Sequence, residues 1–400
     1  MINNRDIIIV GQQSWDTDIG SNCKNIAVEF SRHNRVLYVS TPLDRKSRYQ
    51  QKEKASTKRR LDVVRRHKEP LEMVQDNLWV WYHDVVIESI NWIKSEALFD
   101  LFNRRNNRLL ARSIQTAIGL TGFKDYILFN DGDMFRSFYL QDYINPSVSV
   151  YYLRDNFYAT DYWKKHGPVW QPKLIAKADV CVANSMYLTE HCAGFNPNSH
   201  YVGQGCDFSL FTMEQTVPED IINKKKEFGL APVIGYVGAL LSARLNIALL
   251  EELAAKNQAL LFVFVGPEDE DFRRSRLHSM PNTFFTGSKP PEVLPAYISA
   301  FDVCINPQVI NDLTVGNYPR KIDEYLAMGK PVIATRTEAM KLFEEFVLLA
   351  ETPSDYQRLL KKALESQPQT AIREKIAFAH SHSWENSVKA IYAAINSTQR

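Results

Sequence analysis

Short apolar runs alternate with amphipathic stretches along most of the chain, and this alternation predicts strands followed by helices. In the first half the strands fall at 6–11, 35–40, 78–82, 126–129, 147–153 and 179–183, with helices at 20–32, 95–119, near 168–177, and from Asn184 to about Gly194. Strand–helix repetition of this kind builds a parallel sheet wrapped by helices. From Gly205 to Leu230 the pattern turns irregular and charged, and then alternation resumes. Strands are expected at 233–237, 260–265, 283–285, 303–306 and 331–334, with helices at 247–256, 269–279, 290–300 and 319–328, a second doubly wound domain. The tail from Ile372 to Ile395 has helical spacing, with Trp384 opening the last helix. The expected organisation is a Rossmann-like domain over 1–205, a linker over 206–230, a second Rossmann-like domain over 231–378 and a terminal helix over 379–400 that packs back. A faint echo between Ala178–Ser185 and Phe301–Pro307, each a buried strand ending in a polar turn, fits two similar lobes.

Length supports the same division, since 400 residues exceed one ordinary core. The longest apolar run, Ala259–Val265, is far short of the roughly 20 residues that a membrane-spanning helix needs. No signal peptide is legible, so a cytoplasmic protein is expected. Five cysteines without a C-x-x-C pair or a His–Cys cluster read as reduced, buried thiols and no structural metal. Net charge is only +2, but basic residues crowd the stretch from Arg45 to Lys68. No nucleic-acid-reading motif accompanies it. Either Arg59, Arg60, Arg65 and Arg66, with Trp92 in the following segment, face an anionic membrane surface, or the stretch is a solvated loop.

The candidate chemistry sits at strand ends. Pro319 suits the first turn of a helix that Gly329 and Pro331 terminate, and such an N-terminus attracts a diphosphate. Arg320 and Lys321 add positive charge there. Glu324 either accepts from ribose hydroxyls or pairs with Arg320 or Lys321 at helical spacing. Gly238 permits close backbone approach after the first strand of the second domain, with Arg244 nearby, and Gly266 sits in a comparable turn. In the first domain Asp16 and Asp18 follow the opening strand beside Trp15 and the permissive Gly20. Asp155 follows the strand 148–153. Asp131 and Asp133 either touch acceptor hydroxyls or form an Asx turn. No D-x-D pair stands where it would hold a metal on a diphosphate, and fixed cations with a helix dipole can serve instead.

Taken in order, Tyr236-Val-Gly-Ala239, Phe264-Val-Gly-Pro267, Thr286-Gly-Ser288, Phe301-Asp-Val-Cys-Ile-Asn-Pro307 and the run from Pro319 to Thr335 resemble the donor domain of GT-B-fold, family-four-like bacterial glycosyltransferases of the teichuronic-acid and exopolysaccharide type. Ser14-Trp-Asp16 and the acidic Asp155 also resemble exopolysaccharide glucuronosyltransferases. The resemblance implies an α/β fold of two Rossmann-like domains facing a central cleft. It implies transfer of a hexose or uronic acid from a nucleoside diphosphate, UDP by expectation, to a lipid-linked or growing glycan, with no cofactor besides the nucleotide sugar; the basic stretch, if it faces a membrane, would place the protein peripherally at the inner membrane face. Lys321 would meet donor phosphate and Glu324 the ribose, beside Tyr318 and Arg320. Many retaining relatives carry Glu where Gly316 stands, so retention or inversion stays open. An inverting enzyme needs a base, for which Asp155 leads and Asp16 and Asp18 are alternatives. A nucleotide-sugar epimerase and a non-catalytic nucleotide-sugar-binding protein are the rival readings.

Overall fold

A computed structural model describes residues 1–17, 20–50 and 55–398, with backbone alone for 49 and 50. Two compact units divide them, one of residues 1–203 with 384–400 and one of residues 204–383. Asp18 lies outside the described residues.

The first unit holds β1 (Asp6–Val10), β2 (Arg35–Val39), β3 (Leu43–Asp44), β4 (Leu71–Gln75), β5 (Leu78–Trp81), β6 (Val86–Ile87), β7 (Ile127–Asp131), β8 (Val148–Leu153), β9 (Val180–Ala183) and β10 (Ser199–Tyr201). Its main sheet runs β10-β9-β8-β7-β1-β2-β5-β4, and β3 pairs with β6 apart from it. Every pairing in the main sheet is parallel except β4 with β5. β1, β7, β8 and β9 are buried on both faces, which explains their continuous apolar runs. The helix Trp384–Ser397 belongs to this core. Its Tyr392 ring stacks 5.3 Å from that of Phe30, and its hydroxyl accepts from Asn34 Nδ2 at 2.8 Å.

The second unit carries a six-stranded parallel sheet in the order β13-β12-β11-β14-β15-β16. These strands are β11 (Val233–Val237), β12 (Leu261–Val265), β13 (Thr283–Gly287), β14 (Val303–Asn306), β15 (Val332–Thr335) and β16 (Leu348–Ala350). The stretch expected to be a linker contains the helix Glu219–Glu227. Its Ile221 is fully buried in the second core, and Asp220 accepts from the Tyr297 hydroxyl at 2.8 Å. Charge concealed this helix, because only one of its side chains is buried. The expected helix 269–279 is two short pieces, Glu270–Arg273 and the 3-10 turn Arg276–Ser279. Likewise 290–300 is a 3-10 turn leading into Leu294–Ser299.

Candidate functional site

In parallel sheets the ligand lies beyond the carboxyl ends of the strands, where the strand order reverses. In the second unit the reversal is at β11, which has β12 on one side and β14 on the other. A cavity of about 460 Å³ opens there, bordered by Gly238, Arg244, Tyr318, Arg320, Lys321 and Glu324 among others. The structure thus gathers every donor-side candidate except Gly266.

Local backbone chemistry makes this edge. Gly238 turns out of β11 at φ 137°, donating its N–H to the Val265 carbonyl at 2.9 Å. Gly266 leaves β12 at φ 150°, and a Cβ there would run into the Gly238 carbonyl. Gly266 therefore does not border the cavity. It lets two strand-end turns lie against each other.

The helix Arg320–Ala327 follows Pro319, which occupies the N-cap position rather than the first turn, and no side chain caps it. Its Arg320 and Ile322 N–H groups donate to the Tyr318 and Pro319 carbonyls at 3.1 and 2.9 Å, and what the helix offers an anion is the positive end of its dipole. Gly329, at φ 67°, ends it. Lys321 Nζ donates to the Tyr236 hydroxyl and lies 4.1 Å from that ring's centroid. Arg320 Nη2 stands 3.8 Å from Glu324 Oε1, so the helical ion pair is present. Burial raises the Glu324 carboxyl above its ordinary value, against the pull of Arg320 and Lys321. Arg244 makes no ion pair among the described residues. Three cations against one carboxylate leave the cavity positive.

Beneath the helix lies a group that short sequence motifs do not reveal. Asp323 is fully buried, accepts from Tyr318 Oη at 2.8 Å, and lies 2.7 Å from His382 Nδ1. Burial raises its carboxyl, with His382 opposing. Tyr318 thus borders the cavity while its hydroxyl is tied to the core. His382 is 59 residues away in sequence, which is why no spacing pattern exposes it.

In the first unit the order reverses between β1 and β7, and Gln12 Nε2 donates to the Gly132 carbonyl across the gap at 2.7 Å. Trp15 packs edge-on against Tyr38 at 5.1 Å. Gly20 is exposed, with open space where a Cβ would stand. Arg154 joins the acidic candidates: its Nε is 2.8 Å from Asp131 and its Nη1 2.8 Å from Asp155. Burial pulls the Arg154 pKa down, and Asp131 and Asp155 together carry it above its ordinary value. Asp155, 38% exposed, therefore enters the site already ion-paired. Asp133 is buried, with its carboxylate accepting from the Phe135 and Arg136 N–H groups and from Arg136 Nε. These bonds make it the closure of a turn, not a free acceptor-side group.

Two basic residues read as membrane-facing stand otherwise. Arg60 is 14% exposed and pairs with Asp16 at 3.5 Å. Burial lowers its pKa, with Asp16 opposing. Arg59 pairs with Glu72 and lies 4.2 Å over the Tyr82 ring. Both belong to the helix Ala55–Val64, whose buried Leu61 and Val63 place it on the sheet. Arg65, Arg66 and Trp92 are exposed. Among the described residues no helix is long and apolar enough to cross a membrane.

Residues 231–366 match the family model described as Glycosyl transferases group 1. Over 170 residues the chain is 29% identical to a protein of Bacillus subtilis (strain 168) described as a teichuronic acid biosynthesis glycosyltransferase, TuaH; the match covers 41% of this chain and 42% of that one. The chain thus matches about two-fifths of the length of this curated relative. Among solved structures, HepE of Anabaena in complex with UDP is similar over 98% of this chain and 100% of its own, at TM-score 0.66 and 17% identity. HepE has also been crystallised with UDP-glucose, at TM-score 0.62. Sucrose-phosphate synthase of Thermosynechococcus elongatus is similar over 98% of this chain and 99% of its own, at TM-score 0.64 and 14% identity. The chain therefore has the GT-B glycosyltransferase fold, and its residues 231–366 carry the glycosyl transferases group 1 domain.

Proposed function

We propose that the protein transfers a sugar, a hexose or a uronic acid, from a UDP-linked donor to a glycan or lipid-linked glycan in bacterial surface polysaccharide synthesis. The positive cavity beyond β11 carries this reading. Arg244, Lys321 and the positive end of the helix Arg320–Ala327 suit a diphosphate, and Glu324 suits the ribose. The UDP complexes of HepE support UDP as the nucleotide, and the family match supports glycosyl transfer. Fixed cations and the helix dipole stabilise the leaving diphosphate, so transfer is proposed to need neither metal nor cofactor. Peripheral attachment to an anionic membrane rests on Arg65 and Arg66, because Arg59 and Arg60 already have partners.

The test screens UDP, GDP, dTDP and CMP for thermal stabilisation and then assays the matching sugar donors for transfer and slow hydrolysis. Stabilisation by UDP, with turnover insensitive to a chelator, is expected. A chain that binds UDP but neither transfers nor hydrolyses any donor is a binding protein, and one that interconverts the donor sugar is an epimerase. Lys321→Ala and Glu324→Ala should each weaken UDP by about 1–3 kcal/mol in calorimetry. Unchanged affinity in both would refute the placement.

A further inference from the structure

Beyond the carboxyl ends of β2 and β7, a second cavity of about 300 Å³ lies wholly within the first unit, with Pro42 and Arg136 on its strand-end side. That volume is at the lower end of small-molecule pockets, which run from roughly 300 Å³ upward.

One wall comes from the helix Glu96–Thr121, which buries three asparagines, Asn103, Asn106 and Asn107. Asparagine is a poor residue for a helix interior, and such local conflicts gather at functional sites. Two of the three have structural work. Asn106 clamps the Glu88 backbone through its N–H and C=O, each at 2.9 Å. Asn107 donates to the Phe135 carbonyl at 3.0 Å and accepts from the Tyr139 N–H at 3.0 Å. Asn103 is different: it is 1% exposed and borders the cavity, and Asn107 Nδ2 donates to its Oδ1 at 3.1 Å while its Nδ2 has no acceptor among the described residues. Asn91 offers the complement. Its Nδ2 donates to the Tyr162 carbonyl at 2.8 Å, and its buried Oδ1 has no donor among the described residues. Among the described residues a buried donor and a buried acceptor are thus left without partners in the wall of one cavity, and a hydroxyl, which both donates and accepts, suits them.

The charges bordering this cavity oppose one another. Asp44 and Glu88 stand against Lys46 and Arg136, Glu88 pairs with Arg45 at 2.9 Å, and Arg136 pairs with Asp133. Asp44 accepts from Ser47 and Ser89. Such a wall gives an anion no net attraction and suits a neutral polyol. Trp92, 76% exposed and fixed by its indole N–H to the Ser89 carbonyl at 2.7 Å, offers a flat ring at the rim.

We infer that this cavity is a subsite for one neutral sugar unit of the acceptor, with Asn103 Nδ2 donating to a hydroxyl, Asn91 Oδ1 accepting from one, and Trp92 covering a sugar face. The inference rests on the proposed transfer to a glycan. The test uses the full chain with methyl α- and β-glucopyranoside and methyl β-galactopyranoside, read by saturation-transfer NMR, with inorganic phosphate as the anionic contrast. At least one glycoside binds the unsubstituted chain, Asn103→Leu and Trp92→Ala each weaken it on the order of tenfold, a loss of about 1.4 kcal/mol, and phosphate does not displace it. Trp92 is exposed, so Trp92→Ala keeps the test valid if Asn103→Leu folds poorly. No binding by any glycoside, full affinity retained in Trp92→Ala, or displacement by phosphate overturns the inference. UDP affinity, measured in the same samples, tests the proposed transfer separately, so either reading can fail alone.

Discussion

Arg154 binds Asp131 and Asp155 together, and this changes what a base at Asp155 must do. The guanidinium meets one carboxylate oxygen, Oδ2, at 2.8 Å, so a base at Asp155 would take up a hydroxyl proton as a member of an ion pair rather than as a free carboxylate. Asp155→Asn should abolish transfer with UDP affinity nearly intact; normal turnover in that variant would remove Asp155 from the mechanism. His83 gives a pH prediction. Burial lowers its pKa to about 3, with Asp84 opposing, and its Nδ1 lies 3.0 Å from Ser113 Oγ. The unfolded chain takes up a proton near the ordinary histidine value and the folded one does not. Its contribution is therefore complete above that value and falls as pH drops toward about 3, by about 1.4 kcal/mol per unit. Urea melts at pH 7 and pH 5 should show the loss, and His83→Gln should shrink it. Residue types at strand ends were legible in the sequence: Gly238, Arg244, Lys321 and Glu324 do meet at one edge. Their partners were not, because Tyr236 under Lys321, Arg154 between two aspartates, and His382 against Asp323 are joined only by the fold.

Elements were legible where burial imposes a period. β11, β14 and the helix Ile247–Lys256 fall where the apolar pattern places them, since each is packed by a core. β4 escaped because it is a largely exposed edge strand, returned by a turn at Asn77 with φ 61°. The helix Pro353–Ala363 was missed despite a readable signal, a capping box between Thr352 and Asp355. At this scale the contact between the Gly238 and Gly266 turns makes a sharp prediction. Gly266→Ala needs a left-handed φ and meets a carbonyl, so it should cost more than about 1 kcal/mol and weaken UDP binding without touching the ligand. Chemical denaturation with parallel calorimetry would show both effects, and an unperturbed variant would deny the turn its role.

For the whole molecule, two lobes and a last helix that packs back were expected from the resumed alternation and the helical tail, but the stretch 206–230 was read as a linker. The irregular stretch after Gly205 belongs to the second unit through Ile221, and the last helix belongs to the first through Trp384, Val388, Ile391, Tyr392 and Ile395. Burying such side chains is worth about 1.5–3 kcal/mol each, in total comparable to a domain's usual margin. A chain stopped at Ser383 should lose the cooperative melting of the first unit and keep UDP binding by the second; a truncated chain with both transitions intact would contradict this. The same feature sets an order on the ribosome. Domains form as they emerge, and residues 204–383 are complete before Trp384 is made. The first unit is thus closed only after the second, and until Trp384–Ser397 has emerged its sheet carries an open apolar face.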